Sequence, residues 1–469
     1  MEILHVSAEC YPVAKVGGLA DVVGSLPKYQ QKAGAIAKVV MPMHRTKFLY
    51  NNEWDVVHKG NFKAGSRNIE FTIIKEKKNI LGFDLYCVDI FGLLDREKVY
   101  GYDDDAERFL LFQIAVLEWV NHWNHKPDVF HVHDHHTGLI PFMLKQCYVY
   151  KNISSIKSVL TIHNAQYQGW MDWKTAGLMP AWDTWNWGLL DWNNIVNYLA
   201  CAIKCADGVT TVSTGYLNEL TVDANGLESL ISSEISKCRG ILNGIDLKVW
   251  NPVQDTFIMD NYSIKDVKSG KHLNKKKLCD DFNLDISKPL IIFIGRLVTD
   301  KGADLLPSAI TGFLNIPNAS VNFLILGSGD KKIETSIINM QNKWVGYYHS
   351  QIEYNEKLSH QMYAGADFLI MPSRVEPCGL NQMYAMRYGT IPIVRKTGGL
   401  NDTVKDFGEK DGYGITFINA SNADIIHAIN RALVLYENKS KLHELRSKIM
   451  KLDFSWENSV KEYFKLYEK

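Results

Sequence analysis

SRVEPCGLNQMYAMRYGTIPIVRKTGGLNDTV, residues 373–404, is the stretch whose reading decides the fold. The run leading into it, FLIMPS (368–373), is apolar and of strand length, and Glu376-Pro377-Cys378-Gly379 breaks it. Leu380 to Tyr388 can then wind as a short helix that Gly389 ends. IPIVRK (391–396) reads as a second buried strand, and Thr397-Gly398-Gly399 turns into another helix. Two helix N-termini therefore open just past two strand ends. In an open parallel sheet that is where an anion binds, because free backbone N–H groups and the helix dipole favour negative charge. Glu376 lies among these phosphate-seeking groups, so the expected ligand carries phosphates at one end and hydroxyls at the other.

Outward from this stretch, short β-branched runs alternate with helical patterns along the whole chain. Strands are expected near 2–7, 37–42, 71–75, 83–88, 128–132, 156–162 and 207–212, then near 290–295, 321–326, 343–348, 367–372, 390–395 and 412–417. That alternation predicts an α/β protein of two doubly wound units. The segment from Asn243 to about Asp281 separates them. The expected domains are 1–243 and 244–453, followed by a C-terminal helix over 454–469. The lysines of KSGKHLNKKK (268–277) read as one solvated helix face.

A chain of 469 residues is too long for one core. Hydrophobic residues at 46% and charged ones at 22% fit a globular protein. Lys plus Arg and Asp plus Glu balance at 52 each, so no global field draws nucleic acid or acidic membranes, and anion recognition must be local. The chain opens directly on the strand-like ILHVS, and no run approaches the length of a membrane span, so a cytoplasmic protein is expected. The eight cysteines are scattered without a Cys-x-x-Cys pair, which fits reduced, buried thiols.

Other strand ends carry polar chemistry. The first strand runs into AECYPVAKVGGLADVVGSLP (8–27), where Gly17-Gly18 lets the backbone approach a ligand and Lys15 supplies a point charge. FHVHDHHTGL (130–139) places four histidines and Asp134 at a strand end; polar substrate contact is preferred there to a zinc site, because no second ligand cluster stands out. TIHNAQYQG (161–169) repeats the arrangement with His163 and Asn164. Asp103-Asp104-Asp105 is read as acidic residues gathered at a helix start rather than a metal site. PLIIFIGRLVTDKGADLL (289–306) ends an apolar strand in Gly295-Arg296, and Lys301 follows where a helix is expected, which makes a diphosphate site. Tyr354 follows the next-but-one strand and is placed to stack on a base or to pack. Six of the twelve tryptophans fall in 170–192, as a sugar platform or a packed subdomain.

Together KVGGLADVVGSLP, HVHDHHTGL, TIHNAQYQG, CADGVTTVS, GILNGIDLKVWNP, GRLVTDKGADLL and the opening stretch resemble the bacterial glycogen synthases and plant starch synthases, in family order and over nearly the whole chain. The resemblance implies a GT-B glycosyltransferase fold of two Rossmann-like domains facing across a deep cleft, with the last helix returning to the first domain. It implies transfer of glucose from ADP-glucose, with UDP-glucose the close competitor, to the non-reducing end of an α-1,4-glucan such as glycogen or a maltooligosaccharide. Anomeric configuration is retained and neither metal nor cofactor is used. Arg296 and Lys301 are implied to hold the diphosphate, and Lys15, Gly17 and Gly18 to close over the phosphates, with Gly398 and Gly399 presenting a helix end to them. Glu376 is implied to bind glucose hydroxyls beside the backbone of Cys378, Gly379 and Leu380. His163 and Asn164 contact the glucose with Asp134 nearby, Tyr354 stacks on the base, and Asp21 and Asn243 belong to the nucleotide side. Three features depart from the family pattern. Tyr384 stands where related transferases often carry a second glutamate. The loop after Arg96 is shortened, leaving Tyr100 as the acceptor contact. The 170–192 stretch is unusually rich in tryptophan. A sucrose-type synthase and an inactive glucan-binding scaffold are the other readings; the intact charged set and the KVGGLADVVGSLP and HNAQYQG segments speak against them.

Overall fold

The computed structural model describes residues 1–317 and 319–468, and the chain divides into two units. The first comprises Met1–Leu242 with residues 456–468, and the second comprises Asn243–Ser455.

The first unit is built on strands β1 (Glu2–Val6), β2 (Ile36–Pro42), β3 (Trp54–Ala64), β4 (Arg67–Glu76), β5 (Asp84–Asp89), β6 (Val129–His133) and β7 (Lys157–Ile162). A small antiparallel sheet of β8 (Trp170–Met171), β9 (Asp191–Trp192) and β10 (Ile195–Asn197) follows, and β11 (Gly208–Thr211) and β12 (Cys238–Gly240) complete the main sheet. Its order is β12-β11-β7-β6-β1-β2-β5-β4-β3. The strands from β12 to β5 run parallel, and β4 and β3 add an antiparallel edge. Parallel strands buried on both faces read as continuous apolar runs; β1 is buried along all five residues but carries Glu2 and His5 within its run. Residues 54–64 escape a reading by apolar runs because β3 pairs with β4 alone and most of its side chains face solvent.

The C-terminal helix Trp456–Glu468 carries Trp456, Val460, Tyr463 and Tyr467 on one buried stripe at helical spacing. It packs in a single cluster with Ile3, Val22, Leu26, Val129 and Val159, so it belongs to the core of the first unit.

The second unit has β13 (Leu290–Ile294), β14 (Asn322–Leu326), β15 (Tyr348–Gln351), β16 (Phe368–Met371), β17 (Ile391–Arg395) and β18 (Ile415–Phe417). Its sheet, in the order β15-β14-β13-β16-β17-β18, is parallel throughout. Two expected strands shift. The run 343–348 enters the sheet only from Tyr348, since Gly346 has a left-handed φ of 82° and residues 343–347 form turns. The run 412–417 pairs only from Ile415.

The lysine-rich helix corrects the solvated-face reading. Lys271 is 2% exposed, and its Nζ donates to the carbonyl oxygens of Tyr363, Ala364 and Tyr388 and to Thr390 Oγ1 at 2.8–3.1 Å. Lys275 pairs with buried Asp367 at 2.8 Å, which also takes Arg446. A flexible four-carbon stem carried these ammonium groups inward to saturate carbonyl groups, whereas charge counting assigns them to water.

Candidate active site

In the second unit the strand order reverses between β13 and β16, the place where open parallel sheets bind ligands beyond their C-terminal ends. Arg296 and Lys301 follow β13, and Glu376 follows β16. Lys301 Nζ donates to Glu376 Oε1 at 2.6 Å, and Ser373 Oγ donates to Glu376 Oε2 at 2.9 Å. Both oxygens of this buried carboxylate are thus held. Arg296, by contrast, is exposed and makes no ion pair among the described residues. Lys301 does not open the following helix as expected. It ends a single 3-10 turn, Thr299–Lys301, and the helix begins at Leu306. Gly302, at φ 67°, separates them; a Cβ there would lie 2.2 Å from the Pro372 oxygen. That close approach brings the 299–302 turn against the end of β16. Arg374 N–H donates to the Asp300 carbonyl at 2.7 Å, and Arg395 Nε to the Ser373 carbonyl at 2.6 Å, which fix the loop carrying Glu376.

The glycines beside it have reasons within the unit. Gly398, at φ 43°, and Gly399 pack on the backbone of residues 376–378, and Gly399 N–H donates to the Glu376 carbonyl at 3.0 Å. Gly379 has φ 72°, and Leu380 precedes the helix Asn381–Arg387. Burial raises the Cys378 thiol to about 12, with Asn243 hydrogen-bonded against it. Asn243 Oδ1 is buried and takes no partner among the described residues, a spare acceptor of the kind that native folds seldom leave. Tyr354 is 73% exposed between β15 and the helix Glu356–Gly365. Tyr384 stacks on Trp250 at a ring distance of 3.8 Å, so this position is given to packing.

In the first unit the same logic applies to the ends of β1, β6 and β7. Gly17 caps the helix Gly18–Lys32, and a Cβ on Gly17 or Gly18 would meet nothing within 4 Å. Nothing inside the unit requires glycine there, which leaves room for a ligand's approach. Lys15 Nζ donates to Asp21 Oδ1 at 2.7 Å and lies over the Tyr11 ring, while burial raises the Asp21 carboxyl against the pull of Lys15. Glu9 is a residue that motif reading passed over. Its Oε2 accepts from the backbone N–H groups of Val16 at 2.5 Å and Gly17 at 3.0 Å, and its Oε1 accepts from Tyr100 at 2.6 Å. One of the loop N–H groups expected to meet phosphates, that of Gly17, is therefore already satisfied, and Tyr100 is tied to the same carboxylate. The signal available was an acid eight residues before a glycine pair.

Asp134 has φ 56°, an uncommon conformation for a non-glycine residue and one that clusters at functional sites. Its Oδ1 accepts from His163 N–H at 2.7 Å and from Asn164 N–H at 3.4 Å. Burial pushes the carboxyl up to about 7, although these two donors oppose the shift. Asp134 thus holds the backbone at the end of β7, with His163 buried beside it. His5 adds a third imidazole to His131 and His133, the cluster the sequence did not reveal, with one nitrogen of each within 4.8 Å of the others. These nitrogens are engaged with one another and with Gln30, Thr161 and Tyr467. Arg96 binds Asp104 through two bonds of 2.6 and 2.7 Å and Arg108 pairs with Asp105, so two of the three consecutive aspartates serve arginines. In the tryptophan-rich segment Trp185 is 89% exposed, and Trp170, Trp173 and Trp187 are also open to solvent.

Two α/β sheets, the second parallel and the first parallel but for its β4–β3 edge, each with polar groups gathered at the C-terminal strand ends, define the GT-B class of glycosyltransferase. The starch synthase catalytic domain family matches residues 2–233, and the glycosyl transferases group 1 family matches 274–449. A glycogen synthase of Flavobacterium johnsoniae is 53% identical over 467 residues, covering 100% of this chain and 98% of the relative. One from Bacillus anthracis is 37% identical over 483 residues, covering 100% and 99%. The catalytic domain of starch synthase IV from Arabidopsis thaliana, solved bound to ADP and acarbose, superposes with a TM-score of 0.89 at 32% identity, covering 100% and 98%. A sucrose-phosphate synthase from Thermosynechococcus elongatus, at 18% identity and a TM-score of 0.65, shares the fold. The chain belongs to the glycogen synthase family of hexosyltransferases. Among the described residues no helix is long and apolar enough to cross a membrane.

Proposed function

We propose that the chain transfers glucose from ADP-glucose to the non-reducing end of an α-1,4-glucan with retention of configuration, in the cytoplasm and without a metal or cofactor. The observation that carries this reading is the grouping of exposed Arg296 with the Lys301–Glu376 pair at one sheet switch point. A departing nucleoside diphosphate develops negative charge, and fixed cations are the groups that stabilise it. Arg296 binds the diphosphate, and Lys301 follows the charge as the glycosidic bond breaks. Glu376, held by Ser373, orients the glucose hydroxyls and places electron density beside the oxocarbenium-like carbon. Cys378, Gly379 and Leu380 offer backbone groups to the sugar. Gly398 and Gly399 face the phosphates, Asn243 Oδ1 supplies an acceptor on the nucleotide side, and Tyr354 stacks on the base. In the first unit the Lys15, Gly17 and Gly18 loop, with Asp21, is the phosphate-facing element. His163 and Asn164, set by Asp134, are the sugar-facing ones, and Tyr100 serves the acceptor.

The ADP in the Arabidopsis relative supports adenine as the base. The test is a side-by-side donor assay with maltooligosaccharide and no added metal. Release of ADP from ADP-glucose well ahead of UDP from UDP-glucose is expected. Preference for UDP-glucose overturns the donor assignment, and glucan binding with neither donor consumed leaves a scaffold. Loss of activity in a chelator, restored by a divalent ion, overturns the metal-free mechanism.

A further inference from the structure

His163 is the last member of a buried hydrogen-bonded chain that begins on a helix. Gln30, on the helix Gly18–Lys32, donates through Nε2 to Tyr467 Oη at 3.0 Å. Its Oε1 therefore faces His5 Nε2, 2.7 Å away. His5 Nδ1 lies 3.0 Å from His133 Nε2, and His133 Nδ1 lies 3.1 Å from His163 Nε2. His5, His131 and His133 are fully buried, and His163 is nearly so. Burial drives His5 down to about 4 and His163 to about 3, and His131 and His133 well below the usual range, so each ring is neutral and carries one proton.

One proton per ring decides every direction. A carboxamide oxygen only accepts, so His5 holds its proton on Nε2 and accepts on Nδ1. His133 must then donate from Nε2 and accept on Nδ1, which leaves His163 donating from Nε2. A branch is consistent with this. Tyr467, already accepting from Gln30, gives its own proton to His131 Nδ1 at 2.7 Å. His131 then donates from Nε2 to Thr161 Oγ1 at 2.6 Å, which lies 2.7 Å from Thr210 Oγ1. All four imidazoles take the same tautomer. His163 Nδ1 has no partner among the described residues.

We propose that Gln30, His5 and His133 are positioning residues that hold His163 as the Nε2–H tautomer, so that its Nδ1 meets substrate as an acceptor for a sugar hydroxyl. This rests on the reading of His163 as a sugar contact. A buried imidazole free to exchange tautomers would present a donor or an acceptor at random, and half of its encounters would be mismatched. Gln30 and Tyr467 remove that ambiguity from three residues away along the chain of bonds. The three-histidine cluster is on this account an ordered hydrogen-bond network rather than an empty metal site.

The test is NMR of the full chain labelled with 15N-histidine at neutral pH, together with kinetics. Nε2–H signals with bare Nδ1 are expected for His5, His131, His133 and His163. An Nδ1–H form of His163, an imidazolium, or displacement of these signals by added Zn²⁺ overturns the proposal. Two replacements of His133 separate positioning from packing. His133→Asn offers an oxygen near the lost Nδ1, and should keep the His163 tautomer and most of the turnover. His133→Phe offers none, and should give a mixed tautomer with a five- to tenfold loss in kcat/KM, the worth of one hydrogen bond. Gln30→Met should mix the tautomers of His5 and His163 without replacing any histidine, so it reads the chain even where a His133 variant fails to fold. Equal turnover in the two His133 variants with an unchanged His163 tautomer overturns the proposal. If His163→Ala transfers glucose normally while the tautomers are as expected, the sugar-contact reading has failed and the ordered chain has not.

Discussion

Lys301 Nζ lies 2.6 Å from Glu376 Oε1, so the cation assigned to the phosphates and the carboxylate assigned to the sugar neutralise each other across the ends of β13 and β16. With Lys301 about one-fifth exposed, the pair is not sealed from water, and a polar ligand can compete for either partner. Each residue therefore sets the other's charge environment, besides the donor contact proposed for it. Lys301→Ala should cost on the order of 2–4 kcal/mol of transition-state stabilisation, as the loss of one strong charge-stabilising donor does. Glu376→Gln should lower turnover far more than donor binding. The double variant should lose less than the sum, since removing one partner already disables the other, and initial rates of the four forms measure the coupling. Strict additivity would mean that the pair does not act as a unit.

Arg296 stands in contrast, exposed and without an ion pair among the described residues. Its replacement removes no internal contact, so Arg296→Ala should change stability by no more than about 0.5 kcal/mol. Binding of ADP should nevertheless weaken at least tenfold, because a guanidinium–diphosphate contact is lost. Calorimetric titration with ADP and a thermal melt, done together, check both halves.

Acid should destabilise the chain earlier than ordinary carboxylate titration would. Burial lowers His5, His44 and His135 to about 4 and His163 to about 3, from 6.5. Between those values and 6.5 the unfolded chain binds protons that the folded chain refuses, so stability is complete above about pH 6.5 and falls as pH drops through the folded values. Asp134 acts with the opposite sign. Raised to about 7 from 3.8, it makes the folded chain the better proton binder across that window and partly offsets the histidines. Melting temperatures should therefore fall on acidification below pH 6.5, and more steeply in Asp134→Asn. Melting temperatures that stay level down to pH 5 would contradict the neutral histidines.

Lys271 Nζ reaches four oxygens in the heart of the second unit, and replacing it with an apolar residue strips these buried groups of a shared donor, leaving Tyr262 Oη and Thr390 Oγ1 to serve the carbonyls of Ala364, Tyr388 and Tyr363. Lys271→Met should cost about 2–4 kcal/mol. Lys277→Met, on an exposed part of the same helix, should cost almost nothing. Denaturant unfolding of the two variants gives the comparison.

Much of this was legible in the chain itself. FLIMPS, IPIVRK and PLIIFIG are buried parallel strands, and such strands must be continuously apolar because helices cover both faces. Glycine at 302, 379 and 398 marks places where the backbone enters the left-handed region, which sequence expresses directly. Edge strand β3 was illegible for the converse reason, as most of its residues face solvent and it has no continuous apolar run. The start of β15 was hidden because KWVGYY has strand-forming residues while Gly346 keeps most of it turned.

What the sequence determined by itself was the identity of the strand ends and the residue types placed on them. Local propensity and apolar pattern act over a few residues, and those are enough to put Arg296, Lys301, Glu376, Asp134 and His163 past the ends of strands. Tertiary structure alone decided the partners. Glu9 fills the N–H groups of residues 16 and 17 by the folding back of a single loop, whereas the meeting of Lys301 with Glu376, and of Gln30 with His163 through His5 and His133, depends on parallel strands distant in sequence lying in register. So does the inward turn of Lys271, whose ammonium is drawn into the fold by carbonyl oxygens from Tyr363 to Tyr388. A side chain's charge is written in the chain, but the groups that offset that charge are set only when the sheet assembles.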